Sequence, residues 1–134
     1  MSKDMIMAVD DDPAILETVR MILGSSGLEA RTVGSGQECL RALHQGFRGL
    51  ILMDIMMPGM DGWDTVAAMR SEGVLDGNIV CMMTAVQDPG PKLEYLKECV
   101  LDYVRKPFTP EELLSAVETS TAYLKQTPTT ERQG

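Results

Sequence analysis

Leu50-Ile51-Leu52-Met53-Asp54-Ile55-Met56-Met57-Pro58-Gly59 is the stretch that decides the fold. Four apolar residues run without a break, meet one acid, and reach a Pro-Gly turn a few residues later. A run this short and uniformly apolar suits a strand buried on both faces, which is the signature of a parallel sheet interior. The neighbouring segments repeat the theme. Upstream, Met5 to Val9 ends in Asp10-Asp11-Asp12; downstream, Ile79 to Met83 ends in Thr84. Leu28 to Val33, with Glu29 and Arg31, and Asp102 to Arg105 carry charges and suit the edges of the sheet.

Helical segments fill the intervals. Asp12 before Pro13 predicts an N-cap with proline at the first helical position. Ile15, Leu16, Val19, Ile22 and Leu23 follow at helical spacing, and Gly24 and Gly27 close that helix. Ser35 and Glu38 have capping-box spacing ahead of a stripe of Leu40, Leu43 and Phe47. A third helix is predicted from Gly62 to Glu72, with Val66 and Met69 inward. A fourth follows Pro91, with Leu93, Leu96 and Val100 on one face. Thr109, Pro110 and Glu112 open a fifth that runs to about Lys125, and the polar tail from Gln126 to Gly134 is expected to fray. Strands alternating with helices imply an α/β doubly wound fold. With right-handed crossovers and the charged strands at the edges, the predicted strand order is 2-1-3-4-5.

Composition narrows the function classes. The chain has 134 residues, 44% of them hydrophobic and 24% charged, which fits one globular domain and excludes whole-chain disorder. A formal charge of −8 opposes phosphate backbones and anionic lipid, so no nucleic-acid partner is expected. No apolar run could span a bilayer, so no membrane insertion is expected. Cys39, Cys81 and Cys99 are widely spaced and odd in number, which reads as free thiols in a reducing, cytoplasmic setting. The eleven methionines read mostly as core filler, with Met57 and Met60 the candidates for exposure.

In an open parallel sheet, ligands bind beyond the carboxyl ends of the strands at the switch point. The strand ends here supply Asp10, Asp11 and Asp12, then Asp54, Thr84, and Arg105-Lys106-Pro107. Each has an ordinary reading alone: a helix cap for Asp12, solvated acids, a strand-end hydroxyl, a surface lysine. Together they are harder to dismiss. Unit charges at roughly 4 Å repel by on the order of 4 kcal/mol at an effective dielectric of about 20, so converging carboxylates need a cation or raised pKa values. An all-oxygen site suits Mg²⁺, with Mn²⁺ as a substitute. Zinc finds no support, since the only histidine, His44, falls in the second helix and reads as a surface residue. The set suits phosphoryl transfer, with Asp54 as nucleophile, Lys106 as cation and Thr84 as hydroxyl donor. No glycine-rich phosphate cradle is present.

Four motifs then carry a family resemblance. They are Val9-Asp10-Asp11-Asp12-Pro13, Met53-Asp54-Ile55-Met56-Met57-Pro58-Gly59-Met60-Asp61-Gly62, Thr84-Ala85, and Tyr103-Val104-Arg105-Lys106-Pro107-Phe108. In this order the chain resembles the receiver domains of two-component response regulators, the CheY-like family, over roughly Lys3 to Leu124. The resemblance implies a flavodoxin-like (βα)5 sandwich, with residues 1–125 as the receiver domain and 126–134 as a tail. It implies that Asp54 accepts a phosphoryl group from a histidine kinase. Asp11, Asp54 and the backbone carbonyl of Met56 would hold Mg²⁺, with Asp10 helping through water. Thr84 and Lys106 would hold the phosphoryl group, Tyr103 would be the switching aromatic, and Pro107 the candidate for a cis peptide. The output would be a protein bound on the face of the fourth helix, fifth strand and fifth helix, since the polar tail is too short for a DNA-binding domain. Such a domain catalyses only its own phosphorylation and slow dephosphorylation.

Several positions depart from the family pattern or qualify it. Cys99 and Val100 stand where a small Gly-Ala pair is usual, and Pro89-Gly90-Pro91 should delay the fourth helix. Met56 and Val86, two residues beyond Asp54 and Thr84, cannot orient an attacking water, which predicts slow self-dephosphorylation. Trp63 reads as a half-buried helix anchor near the pocket. Two other readings stay open. One is an aspartate-nucleophile phosphohydrolase, although Met56 stands where haloacid dehalogenase-like phosphatases want an acid. The other is an adaptor that keeps the fold without the chemistry, against which the complete residue set argues.

Overall fold

A computed structural model describes residues 5–85 and 94–126. Five parallel strands form one sheet in the order β2-β1-β3-β4-β5. They are β1 (Ile6–Val9), β2 (Arg31–Val33), β3 (Leu50–Asp54), β4 (Ile79–Thr84) and β5 (Asp102–Arg105). The α-helices are α1 (Pro13–Gly24), α2 (Gly36–His44), α3 (Gly62–Ser71) and α4 (Pro110–Gln126). This is the strand order expected from the alternation and the charged edge strands, in the flavodoxin-like fold that the resemblance implies.

The sheet splits the core into two layers by strand parity. Met7, Val9, Ile51, Met53, Val80 and Met82 pack with residues of α2 and α3, among them Leu40, Leu43, Val66 and Met69. Ile6, Ala8, Leu50, Leu52, Cys81 and Met83 pack with Val19 and Leu23 of α1 and Leu113 and Val117 of α4. β3 is buried along its whole length, which is why its sequence shows no alternation.

Local chemistry sets the helix starts. Asp12 caps α1 by accepting from the Ala14 N–H at 2.9 Å, with Pro13 at the first helical position. Ser35 caps α2, but Glu38 reaches past it to the Gly34 N–H at 3.3 Å, so the reciprocal half of that box is displaced by one residue. Thr109 and Glu112 close a full capping box ahead of α4, at 2.9 and 3.1 Å.

The predicted fourth α-helix is not found among the described residues. In its place is a 3-10 helix, Glu94–Cys99. Leu96 and Cys99, three apart, both turn toward the core, which matches a period of three rather than 3.6. The chain has little room for more, because the Leu101 N–H already bonds Val80 O at 2.8 Å and starts β5. Pro89, Gly90, Pro91, Leu93 and the rate-tuning candidate Val86 lie outside the described residues. The second strand is also shorter than predicted: it begins at Arg31, not Leu28.

Candidate functional site

The site follows from strand register. Val9 pairs with Met53, so the next residues, Asp10 and Asp54, emerge side by side. Asp54 pairs with Met83, and Thr84 with Arg105, so Thr84 and Lys106 each stand one step beyond the neighbouring pair. Parity puts Asp10, Asp54 and Lys106 on the α1/α4 side of the sheet, above Ala8, Leu52 and Val104. Thr84 and Tyr103 fall on the opposite parity with Met82 and are diagonal neighbours across β4 and β5.

Asp10 and Asp54 are buried, at 1% and 4% exposure, while Asp11 is exposed at the rim. Carboxylate oxygens of the three lie within 4.8 Å of one another. Lys106 Nζ donates to Asp10 Oδ2 at 2.7 Å and to Asp54 Oδ1 at 3.2 Å. Asp10 Oδ1 also accepts from the Asp12 N–H at 2.9 Å. Burial and the neighbouring Asp10 charge push the Asp54 carboxyl up from its ordinary 3.8 to about 6, against the opposing pull of Lys106 and a hydrogen bond from the Met56 backbone. Burial alone would lower the Lys106 ammonium. Its bonds and charge partners, Asp10 and Asp54, outweigh that and raise it. Among the described residues, one cation, Lys106, thus faces two buried carboxylates and a third at the rim. The remaining negative charge and the all-oxygen donor set fit a hard divalent ion such as Mg²⁺.

The chain after Asp54 is held by close packing. The Gly62 N–H bonds Ile55 O at 2.8 Å, and a Cβ on Gly62 would stand 2.5 Å from the Asp54 carbonyl oxygen. Only glycine allows α3 to start this near the end of β3. Asp61 and Asp64 form a reciprocal capping box there, at 2.8 and 3.0 Å. Sequence reading missed this box; its signal was the three-residue spacing of two acids, with Asp in place of the usual Glu or Gln.

Thr84 is buried at the tip of β4, and its carbonyl accepts from the Lys106 N–H at 2.7 Å. The Lys106–Pro107 peptide is cis. Tyr103 is 38% exposed and tilts against Trp63, with ring centroids 6.5 Å apart. Trp63 is more buried than the half-buried anchor expected, at 3% exposure, because it packs into the α2/α3 core layer. The methionine expectation also needs correction: Met57 is buried and Met60 half-buried, while Met56 is 62% exposed. Ile55 and Met57 turn into the core, which leaves the residue between them outward. His44 is on the surface, paired with Glu72 at 2.6 Å. Cys39 and Cys81 are buried and Cys99 half-buried, all free.

Residues 6–118 match the response regulator receiver domain family, and the chain belongs to it. It is similar to the DNA-binding response regulator MtrA of Mycolicibacterium smegmatis, 35% identical over 112 residues that cover 84% of this chain and 48% of that one. The transcriptional regulatory protein GltR of Pseudomonas aeruginosa is 33% identical over 113 residues, covering 84% and 47%. Among solved structures, a CheY-like receiver domain protein from Methanospirillum hungatei superposes with a TM-score of 0.88 at 38% identity, covering 93% of this chain and 99% of that one. The chain spans about half the length of the curated relatives it matches.

These relatives overturn one expectation. The charge of −8 pointed to a module with no nucleic-acid partner, yet the MtrA relatives are DNA-binding response regulators. The charge argument holds only for the receiver's own surface and says nothing of what a receiver controls. Among the described residues, no helix is long and apolar enough to cross a membrane.

Proposed function

We propose that this chain is a phosphorylation-switched receiver in which Asp54 takes a phosphoryl group from a phosphohistidine of a histidine kinase. An Asp54 carboxylate oxygen attacks phosphorus, the new P–O bond forms, and the P–N bond breaks, leaving imidazole to take a proton from solvent. Asp10, Asp11, Asp54 and the Met56 carbonyl are the proposed holders of Mg²⁺, which when bound supplies charge neutralisation for the phosphoryl oxygens. Lys106 is proposed to move from its carboxylate partners onto the phosphoryl group, and Thr84 to donate to another of its oxygens. Movement of Thr84 changes the space open to Tyr103, its diagonal neighbour. The face of the 3-10 helix, β5 and α4 then shifts between two packings. The process controlled is proposed to be DNA binding, as in the MtrA relatives, exerted through a partner or an attached segment rather than by this acidic domain.

The observation that carries this reading is the convergence of three carboxylates within 4.8 Å beside the Lys106 ammonium. Incubation with acetyl phosphate and Mg²⁺, followed by intact mass, should show one added phosphoryl group. The adduct should be absent in Asp54→Ala and in chelator. An adduct that persists in Asp54→Ala, or none in the parent, would sink the reading.

A further inference from the structure

We infer that Met56 is an oxidant-sensitive modification site, and that its sulfoxide shortens the life of the phosphoryl group on Asp54. The inference rests on the phosphoacceptor reading above for its consequence, but not for the modification itself.

Three observations place it. First, Met56 is 62% exposed, whereas the methionines around it are not: Met53, Met82 and Met83 are fully buried and Met57 is nearly so. The other exposed methionines among the described residues, Met5 and Met21, lie just before β1 and on α1. Second, Met56 lies two residues beyond Asp54, just past the tip of β3, with its backbone close enough to the Asp54 carboxylate to act on its charge. Third, the cysteines compete poorly for oxidant. Cys39 and Cys81 are buried, Cys99 is half-buried, and burial pushes all three thiols up, which keeps thiolate scarce.

The chemistry balances with hydrogen peroxide as the named co-reactant. The thioether sulfur attacks the peroxide oxygen, the O–O bond breaks, and water leaves as the S=O bond forms. Sulfur loses two electrons and the peroxide gains them. An apolar side chain becomes a polar one carrying a strong acceptor at the mouth of the site. The thioether cannot orient water toward phosphorus; the sulfoxide oxygen can accept a hydrogen bond from it. One such bond corresponds to a roughly two- to tenfold faster loss of the phosphoryl group.

The test has two arms. The full chain is treated with hydrogen peroxide and mapped by peptide mass. Met56 and Met21 should gain oxygen well before Met53, Met82 and Met83, and methionine sulfoxide reductase should reverse it. Oxidation of Met56 no faster than of the buried methionines overturns the inference. In the second arm, oxidised and reduced protein are phosphorylated with acetyl phosphate and the adduct is followed by intact mass. Oxidation should speed its loss in the parent, while Met56→Leu should lose phosphate at one rate with or without peroxide. Met56→Gln should be fast without oxidant. Equal acceleration in Met56→Leu, or none in the parent, rejects the inference. If neither form takes phosphate at all, the phosphoacceptor reading fails instead, and the peptide map still decides the modification.

Discussion

At the scale of single residues, the site balances unlike demands. The proposed attack needs Asp54 as a carboxylate, yet its surroundings favour the acid. The folded state holds this proton more tightly than the unfolded chain does, so the stability that protonation gives is complete below pH 3.8 and lost as pH rises to about 6. Asp54→Asn should therefore stabilise the metal-free protein at neutral pH. The pKa shift alone sets a ceiling of about 3 kcal/mol. Loss of the Lys106 bond cuts this to about 1–2 kcal/mol. Urea midpoints should show the gain at pH 7 and its disappearance near pH 3.5; an equal gain at both would refute the assignment. Lys106→Met acts in the other direction. It strands Asp10 in the interior beside Asp54, and should cost about 3 kcal/mol in the same assay. These residues were legible because a strand end has one neighbour on each side and the charged residues fell there. Met56 was misjudged because its exposure depends on how the turn runs after Asp54, and Met56-Met57 carries no periodicity to reveal it.

At the scale of elements, the short connection between β3 and α3 holds Asp54 in place. Asp61→Ala removes the side chain that receives the Asp64 N–H and should cost about 1–2 kcal/mol. Asp64→Ala removes the bond returned to the Asp61 N–H and leaves the N–H cap of α3 in place, so it should cost less. A thermal melt in which the two variants are equal would show that the box is not reciprocal in energy. The strands were readable from apolar runs, and most helices from capping residues. The 3-10 helix was not, since Leu93, Leu96 and Val100 satisfy a 3.6 period on paper. The register of β4 with the chain at Leu101 ends that segment early, and such a tertiary limit leaves no local mark.

For the molecule as a whole, a site that gathers more negative than positive charge should couple metal binding to stability. A ligand at a hundred times its dissociation constant adds about 2.7 kcal/mol. Mg²⁺ should accordingly raise the melting temperature by several degrees. Asp11→Ala should abolish most of that rise and leave the metal-free melting temperature level or higher, because Asp11 is exposed and removing it relieves repulsion. A metal-free protein clearly weakened by this change would mean that Asp11 supports the fold instead. Strand order and the position of the crevice came through in the sequence because each rests on many residues acting together. The kinship with DNA-binding regulators did not, because net charge describes only this domain's own surface.

One packing detail has a practical consequence. The chain has a single tryptophan, Trp63, sealed beneath the surface next to Tyr103 and one residue past the glycine that abuts Asp54. The protein therefore carries an intrinsic fluorophore between the proposed acceptor, Asp54, and the proposed switching side chain, Tyr103. Its emission should be blue-shifted at rest and, if Tyr103 moves as proposed, should change in intensity on phosphorylation, which would let the proposed switch be followed optically, in real time and without a label.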